Sequence, residues 1–272
     1  MPVSSLTKGD KVWQRRTSKK QYAIWLGWLL GVSLFYISWR PIDEATTWFF
    51  VEDAPRIAGD LLNRAMPPTW SYVNELWDPI WDTLNMATLG TILALFLAVP
   101  VAFLAANNTT PSRIFVRPIA LLIIVSSRSI NSLIWALLLV AIIGPGMFAG
   151  TIAIALRSIG FVAKLLYEAI EEIDHKQVEA IEATGASRLQ VMVYGIVPQI
   201  MPAFAGITVF RWDINIREST VLGLVGAGGI GLQMQANLNV LAWHNVSLIL
   251  SVILVAVVIS EWVSAKVRGA II

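Results

Sequence analysis

Cysteine is absent from this chain of 272 residues, and histidine occurs only twice. The first absence excludes disulfides, thiolate metal sites and cysteine nucleophiles. The two histidines, His175 and His244, leave little for a histidine-based metal site or a histidine-dependent catalytic triad. Charged residues make up only 14% of the chain, against about 25% in a typical soluble domain. The formal net charge of +2 is too small for a surface that binds nucleic acid.

Apolar residues, in contrast, are abundant. They make up 56% of the chain, and the mean hydropathy is +0.67. Twelve tryptophans are many for this length, and tryptophan favours the interface between membrane and water. We therefore predict an all-α integral membrane protein rather than a soluble domain.

Six apolar segments have about the length that a spanning helix needs, which is about 20 residues. They cover residues 22–39, about 83–106, about 118–143, about 151–170, about 202–225 and about 245–264. The first segment can also be read as a secretory signal. Its apolar stretch is long, however, and Trp39-Arg40-Pro41 replaces the small residues of a cleavage site, which favours a retained anchor.

The distribution of lysine and arginine predicts how these segments cross the membrane. Six basic residues and one acid precede the first span, which places the N-terminus in the cytoplasm. The balance reverses to three arginines and eight acids between the first two spans, which are then joined outside. Six crossings return the C-terminus to the cytoplasm. The predicted parts are a basic cytoplasmic tail (1–21), an extra N-terminal transmembrane helix (22–39), a periplasmic segment (40–82), a transmembrane core (83–265) and a cytoplasmic tail (266–272).

The cytoplasmic segment between the fourth and fifth spans has the pattern of a helix–turn–helix. Residues 177–184 are mostly strong helix formers, and Gly185 suits a left-handed residue after that helix. Ser187 is a natural N-cap for a second helix, which we expect to continue to about residue 196. Pro198 and Pro202 are then expected to break the helix before the chain enters the membrane.

The spacing of Glu179-Ala180, Gly185 and Pro198 resembles the EAA loop of ABC importer permeases. In that family the loop forms the helices that dock into the ATP-hydrolysing subunits. The resemblance implies that residues 171–200 form the coupling loop, although a plain linker is the alternative. Ile181 stands where a second alanine is common, and Gly195 where isoleucine is common. The implied ATPase contacts are Glu179, Ala180, Ala183, Gly185, Ala186 and Pro198.

Four further stretches resemble the phosphonate-type permeases: residues 126–136, the turn 144–146, residues 168–174 and the glycine-rich stretch 219–231. The resemblance implies a type I ABC import permease, with a five-helix core preceded by one extra helix. It implies a homodimer in the bacterial inner membrane that carries phosphonate, phosphite or hypophosphite. It also implies two ATP-binding subunits, which use ATP and Mg, and a periplasmic substrate-binding protein. No cofactor is expected on this chain.

The fifth span carries four charges, which are costly inside a membrane. Asp213 and Arg217 are four residues apart, and Arg211 and Glu218 are seven apart, so each couple shares a helical face. The charges therefore form ion pairs that only hold the helix in place, or the arginines offer positive potential to an oxyanion. Both interpretations stay open.

Arg128 in the third span has no acid nearby in sequence and is surrounded by small hydroxyl and amide side chains. It is interpreted as a wall of a polar path, or alternatively as an arginine at a helix end that reaches the interface. Arginine suits phosphoryl oxygens because its planar group donates two parallel hydrogen bonds. The candidate pathway residues are Arg128, Ser127, Ser129, Asn131, Arg211, Arg217, Ser219 and Thr220.

Enzymatic activity is not expected of this chain. Residues 226–231 fit G-x-G-x-x-G, but they follow a membrane span rather than a strand, so we interpret them as a tight outer turn or a re-entrant segment. The sequence contains no Walker-type phosphate-binding motif, so ATP hydrolysis is assigned to a partner. The alternatives are an ion-gradient-driven secondary transporter of a small anion, using Asp213 and Glu218, and a membrane-bound hydrolase.

Overall fold

The computed structural model describes residues 3–5, 11–13 and 17–271, with side chains between 17 and 270. The other residues of the predicted basic tail, 1–2, 6–10 and 14–16, lie outside the described residues. Contacts divide the chain into two units, 1–60 and 61–272. Apart from one short antiparallel pair, β1 (Val3–Ser5) with β2 (Lys11–Trp13), the regular elements described are helical. The all-α prediction is confirmed.

The first unit is dominated by one apolar helix. This helix, α1, covers Ser18–Ala45 and has no buried residue. Apolar side chains point outward around its whole circumference, which is typical of a helix that lipid surrounds. The next helix, α2, covers Trp48–Ala65 and ends beyond this unit.

The second unit is a bundle of helices packed around small side chains. A 3-10 turn, Trp70–Leu76, leads into its first long helix. The helices are α3 (Trp77–Ala105), α4 (Val116–Ser129), α5 (Ser132–Ile143), α6 (Met147–Glu171), α7 (His175–Glu182), α8 (Arg188–Val191), α9 (Val197–Leu222), α10 (Gly229–Asn239) and α11 (Trp243–Ile271). With α1, the described residues hold five segments long and apolar enough to span a membrane, or six if the bent pair α4–α5 is one span.

Close packing in the bundle depends on alanine. Ala94, Ala98 and Ala102 on α3 are fully buried against α6, which contributes Val162 and Ala163 to the same cluster. Small residues allow membrane helices to approach closely, so that van der Waals contact holds them together. The pairs α3–α9 and α6–α9 are also joined by hydrogen bonds between polar side chains inside the bundle.

The third predicted span is not one straight helix. Its two halves, α4 and α5, meet at an angle of 87°. Ile130 between them is extended (φ −96°, ψ 129°), and the Asn131 side chain accepts a hydrogen bond from the Leu133 N–H at 3.2 Å. Asparagine at an N-cap favours the start of a new helix, so the polar residues turn the chain here.

The helix after Ser187 does not break at the prolines, and that prediction is wrong. A π-helical turn, Met192–Ile196, joins α8 directly to α9, and the Val197 N–H donates to the Met192 carbonyl. Pro198 follows this π-helical turn directly, and the turn accommodates its missing N–H without a break in the helix. Pro202 lies inside α9.

The loops of the second unit meet at two opposite ends of the bundle. At one end the Gly146 N–H donates to the Gly226 carbonyl at 2.9 Å. At the other end the Asn107 N–H donates to Glu171 at 2.8 Å. This grouping is the one expected if the spans alternate in direction. The end that carries Glu171 is the one that the positive charges assign to the cytoplasm.

Candidate functional site

A cavity of about 390 Å³ opens between α5, α6 and α9. Its lining consists of Asn131, Ser132, Leu133, Arg157, Ile214, Arg217, Glu218, Val221 and Leu222. We call it the arginine cavity. A water molecule takes about 30 Å³ in the liquid, so the volume admits a small oxyanion with part of its hydration shell.

Glu218 connects the cavity to the interior of the bundle. One carboxylate oxygen lies 3.3 Å from Nε of Arg157 on α6, and the other lies 3.3 Å from a terminal nitrogen of Arg211 on its own helix. Arg211 is 2% exposed and also donates from Nε to the Ser158 hydroxyl at 2.8 Å. Arg211 is therefore fixed inside the bundle, whereas Arg157 faces the cavity.

The second pair predicted from the sequence, Asp213 with Arg217, is also present. The Asp213 carboxylate is buried and accepts a further hydrogen bond from the Ser260 hydroxyl of α11 at 2.9 Å. The Arg217 guanidinium is 44% exposed and lines the cavity. This pair thus combines a structural anchor, Asp213, with a guanidinium that is open to a ligand.

Arginine outnumbers acid in this network. Three guanidinium groups (Arg157, Arg211 and Arg217) are paired with two carboxylates (Asp213 and Glu218), which leaves one positive charge in excess. Opposite charges interact more strongly away from bulk water. The cavity is therefore suited to attract a small anion rather than a cation.

All four hydroxyl groups predicted to line the path are hydrogen-bonded to backbone. Ser127 donates to the Leu156 carbonyl and accepts from the Gly160 N–H at 2.8 Å, which joins α4 to α6. Ser129, Ser219 and Thr220 each donate to a carbonyl of their own helix, at 2.7–2.8 Å. None of the four lines the arginine cavity.

The predicted residues Arg128 and Asn131 lie close in sequence but differ in position. Asn131 lines the cavity at the N-terminus of α5. Arg128 is exposed on the last turn of α4. Its side chain lies against Gly160 of α6, and a Cβ added at Gly160 would lie 2.8 Å from Cγ of Arg128. Among residues 17–270, Arg128 forms no ion pair and is not part of the cavity lining.

Arg157 was not singled out by the sequence analysis, although the structure places it in the cavity. Its partner Glu218 is on another helix, so no local spacing relates the two. The signal that was present is an arginine within a predicted membrane span, because such a charged residue usually faces a polar interior.

The coupling loop forms a compact projection at the end of the bundle that carries Glu171. The Asp174 side chain caps α7 by accepting from the Lys176 N–H at 3.0 Å, and Gln199 of α9 accepts from the Asp174 N–H at 2.9 Å. Gly185 has the expected left-handed backbone (φ +83°), and Ser187 begins α8 with a capping box to Gln190. The predicted helix–turn–helix is therefore present.

Of the implied ATPase contacts, five are exposed and one, Ala186, is half-buried: Glu179, Ala180, Ala183, Gly185, Ala186 and Pro198. Leu189, which was not predicted, adds an apolar side chain that is 69% exposed on α8. Small side chains beside a protruding leucine form a surface that a shaped groove in another protein can contact closely.

The two departures from the EAA pattern lie against each other. A Cβ on Gly195 would lie 3.3 Å from Cδ1 of Ile181 and 3.7 Å from Cα of Val178. The larger residue on α7 therefore occupies the space that the missing side chain of the π-helical turn leaves. The two positions therefore pack against each other, and a side chain at position 195 would press on Ile181.

The glycine-rich stretch joins α9 to α10 and packs against α3. It follows α9 and a 3-10 turn, Gly223–Val225, so the strand of a dinucleotide site is absent from this part of the described chain. The Ile230 N–H donates to the Thr83 hydroxyl of α3 at 2.9 Å, which fixes the start of α10 against α3.

Comparison with known proteins gives consistent matches. Residues 81–269 match the family described as "Binding-protein-dependent transport system inner membrane component". The phosphite transport system permease protein PtxC of Stutzerimonas stutzeri is 38% identical over 240 residues, which are 88% of this chain and 86% of that protein. The putative phosphite transport system permease protein HtxC of the same species is 34% identical, over 84% of this chain and 83% of that protein.

A solved structure shows the same fold. The chain is similar to one from an inward-facing MetNI methionine ABC transporter, with a TM-score of 0.62 and 20% identity. The match covers 72% of this chain and 96% of that one.

Proposed function

The chain belongs to the family of binding-protein-dependent transport system inner membrane components, and from that premise we propose that it forms the path of an ATP-driven importer for a small phosphorus oxyanion. It is a multi-pass membrane transport protein with the fold of type I ABC permeases. The proposed substrate is phosphite, hypophosphite or a phosphonate, and the names of the two relatives reported above support phosphite.

The arginine cavity is the observation that carries the proposed substrate. Arg157 and Arg217 line it together, and the network around them has one positive charge in excess. A guanidinium can donate two parallel hydrogen bonds to phosphoryl oxygens. Because both arginines already have a carboxylate partner, they would hold an anion weakly enough to release it.

The proposed partners follow from the fold and the surface. Two ATP-binding subunits on the cytoplasmic side would use ATP and Mg and contact the coupling loop through Ala180, Ala183 and Leu189. A periplasmic binding protein would deliver the anion. A second copy of the chain would complete the permease, with both termini in the cytoplasm. This chain would carry out no covalent chemistry.

The test is uptake of labelled phosphite by vesicles that contain the complete assembly. We expect uptake that requires ATP and is competed by unlabelled hypophosphite or a phosphonate, because these anions share the phosphoryl oxygens that arginine recognises. Methionine serves as the control competitor and should have no effect. Uptake that is competed by methionine, or that an ion gradient supports without ATP, would contradict the proposal.

The coupling step has its own variant. Gly185→Glu places a charged side chain on the exposed left-handed turn and should abolish uptake in a protein that still inserts and folds. Gly269→Glu makes the same substitution near the end of α11. A Cβ added at Gly269 has no atom within 4 Å, so this control variant should leave uptake intact. Normal uptake by the Gly185→Glu variant would refute the assigned role of the loop.

A further inference from the structure

Glu218 is the acidic member of the arginine cavity. The described residues that line the cavity carry three charges, on Arg157, Arg217 and Glu218, and the side chain of Glu218 is 18% exposed. A carboxylate in a site for an anion repels the ligand, and this repulsion is stronger in a cavity than in bulk water. The presence of Glu218 there therefore needs a reason other than attraction of the substrate.

Arg211 does not depend on Glu218 alone for its position. The buried guanidinium of Arg211 lies 3.3 Å from the Glu218 carboxylate. It also donates to the Ser158 hydroxyl at 2.8 Å, and it lies 5.1 Å from the centroid of the Phe161 ring. The Ser158 hydroxyl lies in turn 3.2 Å from the amide oxygen of Asn215. Several groups therefore hold Arg211, whereas Glu218 alone among them adds a negative charge.

The excess of one positive charge in the cavity network depends on Glu218. Helix α5 carries no charged residue. On α6, Lys164 and Glu168 lie about two and three turns beyond Arg157 and pair with each other, so their charges cancel. Arg128 on α4 is exposed and is not part of the lining. Removing the carboxylate of Glu218 would therefore raise the excess in the network from one positive charge to two.

We propose that Glu218 sets the charge of the anion that the arginine cavity accepts. With the carboxylate in place, an anion with one negative charge neutralises the excess. An anion with two negative charges leaves a net charge away from bulk water, which is costly. Glu218 therefore favours singly charged phosphorus oxyanions, such as hypophosphite, over dianions such as fully ionised phosphite. Because this role belongs to the proposed path, it rests on the proposed function.

Three variants change the charge of the network in single steps. Glu218→Gln raises the excess to two positive charges and keeps a side-chain oxygen that can accept from Arg211. Arg211→Gln lowers the excess to zero, and the double variant Arg211→Gln/Glu218→Gln returns it to one. The control Glu168→Gln removes an acid that is outside the cavity lining, and it leaves Lys164 its hydrogen bond to the Tyr167 hydroxyl at 2.9 Å.

The experiment measures the dissociation constants of hypophosphite and of phosphite for the full-length chain in nanodiscs of zwitterionic lipid. The broadening of the phosphorus NMR resonance of each anion reports its binding, even where that binding is weak. A phosphoryl group with two ionisable oxygens loses its second proton at about pH 6. At about pH 8 phosphite therefore carries two charges, whereas hypophosphite, which has one ionisable oxygen, carries one.

We expect the ratio of the two dissociation constants to follow the charge of the network. Glu218→Gln should shift the preference toward phosphite about tenfold, and Arg211→Gln should shift it away from phosphite by a similar factor, because each changes the charge near the anion by one unit. The double variant should return to the wild-type ratio, and Glu168→Gln should not alter it. An unchanged ratio in the single variants, or a double variant that keeps the ratio of Glu218→Gln, would overturn the role of Glu218.

The series remains decisive if Glu218→Gln does not fold. Arg211→Gln leaves Glu218 paired with Arg157, and the double variant leaves no buried guanidinium at position 211. The shift in the first and its reversal in the second then test the same charge. Failure of the wild-type assembly to take up phosphite would refute the proposed function instead, since the anion preference is measured on this chain without ATP or a binding protein.

Discussion

Arg217 decides between a structural and a functional interpretation of the charges in the fifth span. The side chain of its partner Asp213 is 5% exposed, whereas that of Arg217 is 44% exposed and lines the arginine cavity. Arg217→Gln leaves a buried carboxylate whose remaining partner is the Ser260 hydroxyl at 2.9 Å. Asp213→Asn leaves a guanidinium that water or a ligand can still reach. The two single variants are therefore expected to differ.

The magnitude follows from the burial of each partner. Breaking a buried pair typically costs about 3–5 kcal/mol, and we expect Arg217→Gln to cost about 3 kcal/mol because Ser260 still binds the carboxylate. The double variant Asp213→Asn/Arg217→Gln removes both charges, and its free energy of unfolding should lie within about 1 kcal/mol of the wild-type value. A hydrogen bond to a charged group is worth about 1.5–3 kcal/mol, so the loss of Arg217 should reduce uptake by about tenfold or more.

The assay combines detergent unfolding with ATP-driven uptake of labelled phosphite by the assembly. Asp213→Asn should keep most of the uptake. The double variant should regain stability and still transport poorly, because its stability no longer depends on the pair but the guanidinium is missing. If uptake recovers together with stability in the double variant, Arg217 serves only to hold the helix, and its assignment to the substrate path is refuted.

Two further predictions concern packing. Gly160→Ala should lower the free energy of unfolding by about 1–3 kcal/mol, because its Cβ would lie 2.5 Å from the carbonyl oxygen of Ile124. The control Gly206→Ala, whose Cβ has no atom within 4 Å, should leave that free energy unchanged. Equal free energies of unfolding for the two variants would contradict the close contact between α4 and α6. Gly195→Ile should reduce uptake and stability, because its side chain would collide with Ile181. Adding Ile181→Ala should restore both. No recovery in the double variant would show that the two positions do not compensate.

The features that the sequence predicted well are local ones. Asp213 and Arg217 are four residues apart on one helix, and that spacing is enough to predict their contact. Gly185 and Ser187 were predicted as a left-handed turn and an N-cap because the backbone imposes these preferences directly. The apolar spans were found for the same reason, since each depends on a continuous run of residues.

The features that were missed depend on how distant segments meet. Arg157 reaches Glu218 only because α6 and α9 pack antiparallel, and no spacing in a single chain reports that register. The hydroxyls of Ser219 and Thr220 each donate to a carbonyl three residues earlier on their own helix, and their assignment to the path stays a prediction. Pro198 was expected to break a helix, and the preceding π-helical turn accommodates it instead.

The central claim is that a phosphorus oxyanion occupies the cavity between α5, α6 and α9. The most direct measurement is an experimental structure of the complete assembly, arrested during transport with phosphite present. We predict density for the anion within hydrogen-bonding distance of the guanidinium groups of Arg157 and Arg217. Density for phosphite elsewhere along the path, with this cavity filled by side chains or lipid, would contradict the account.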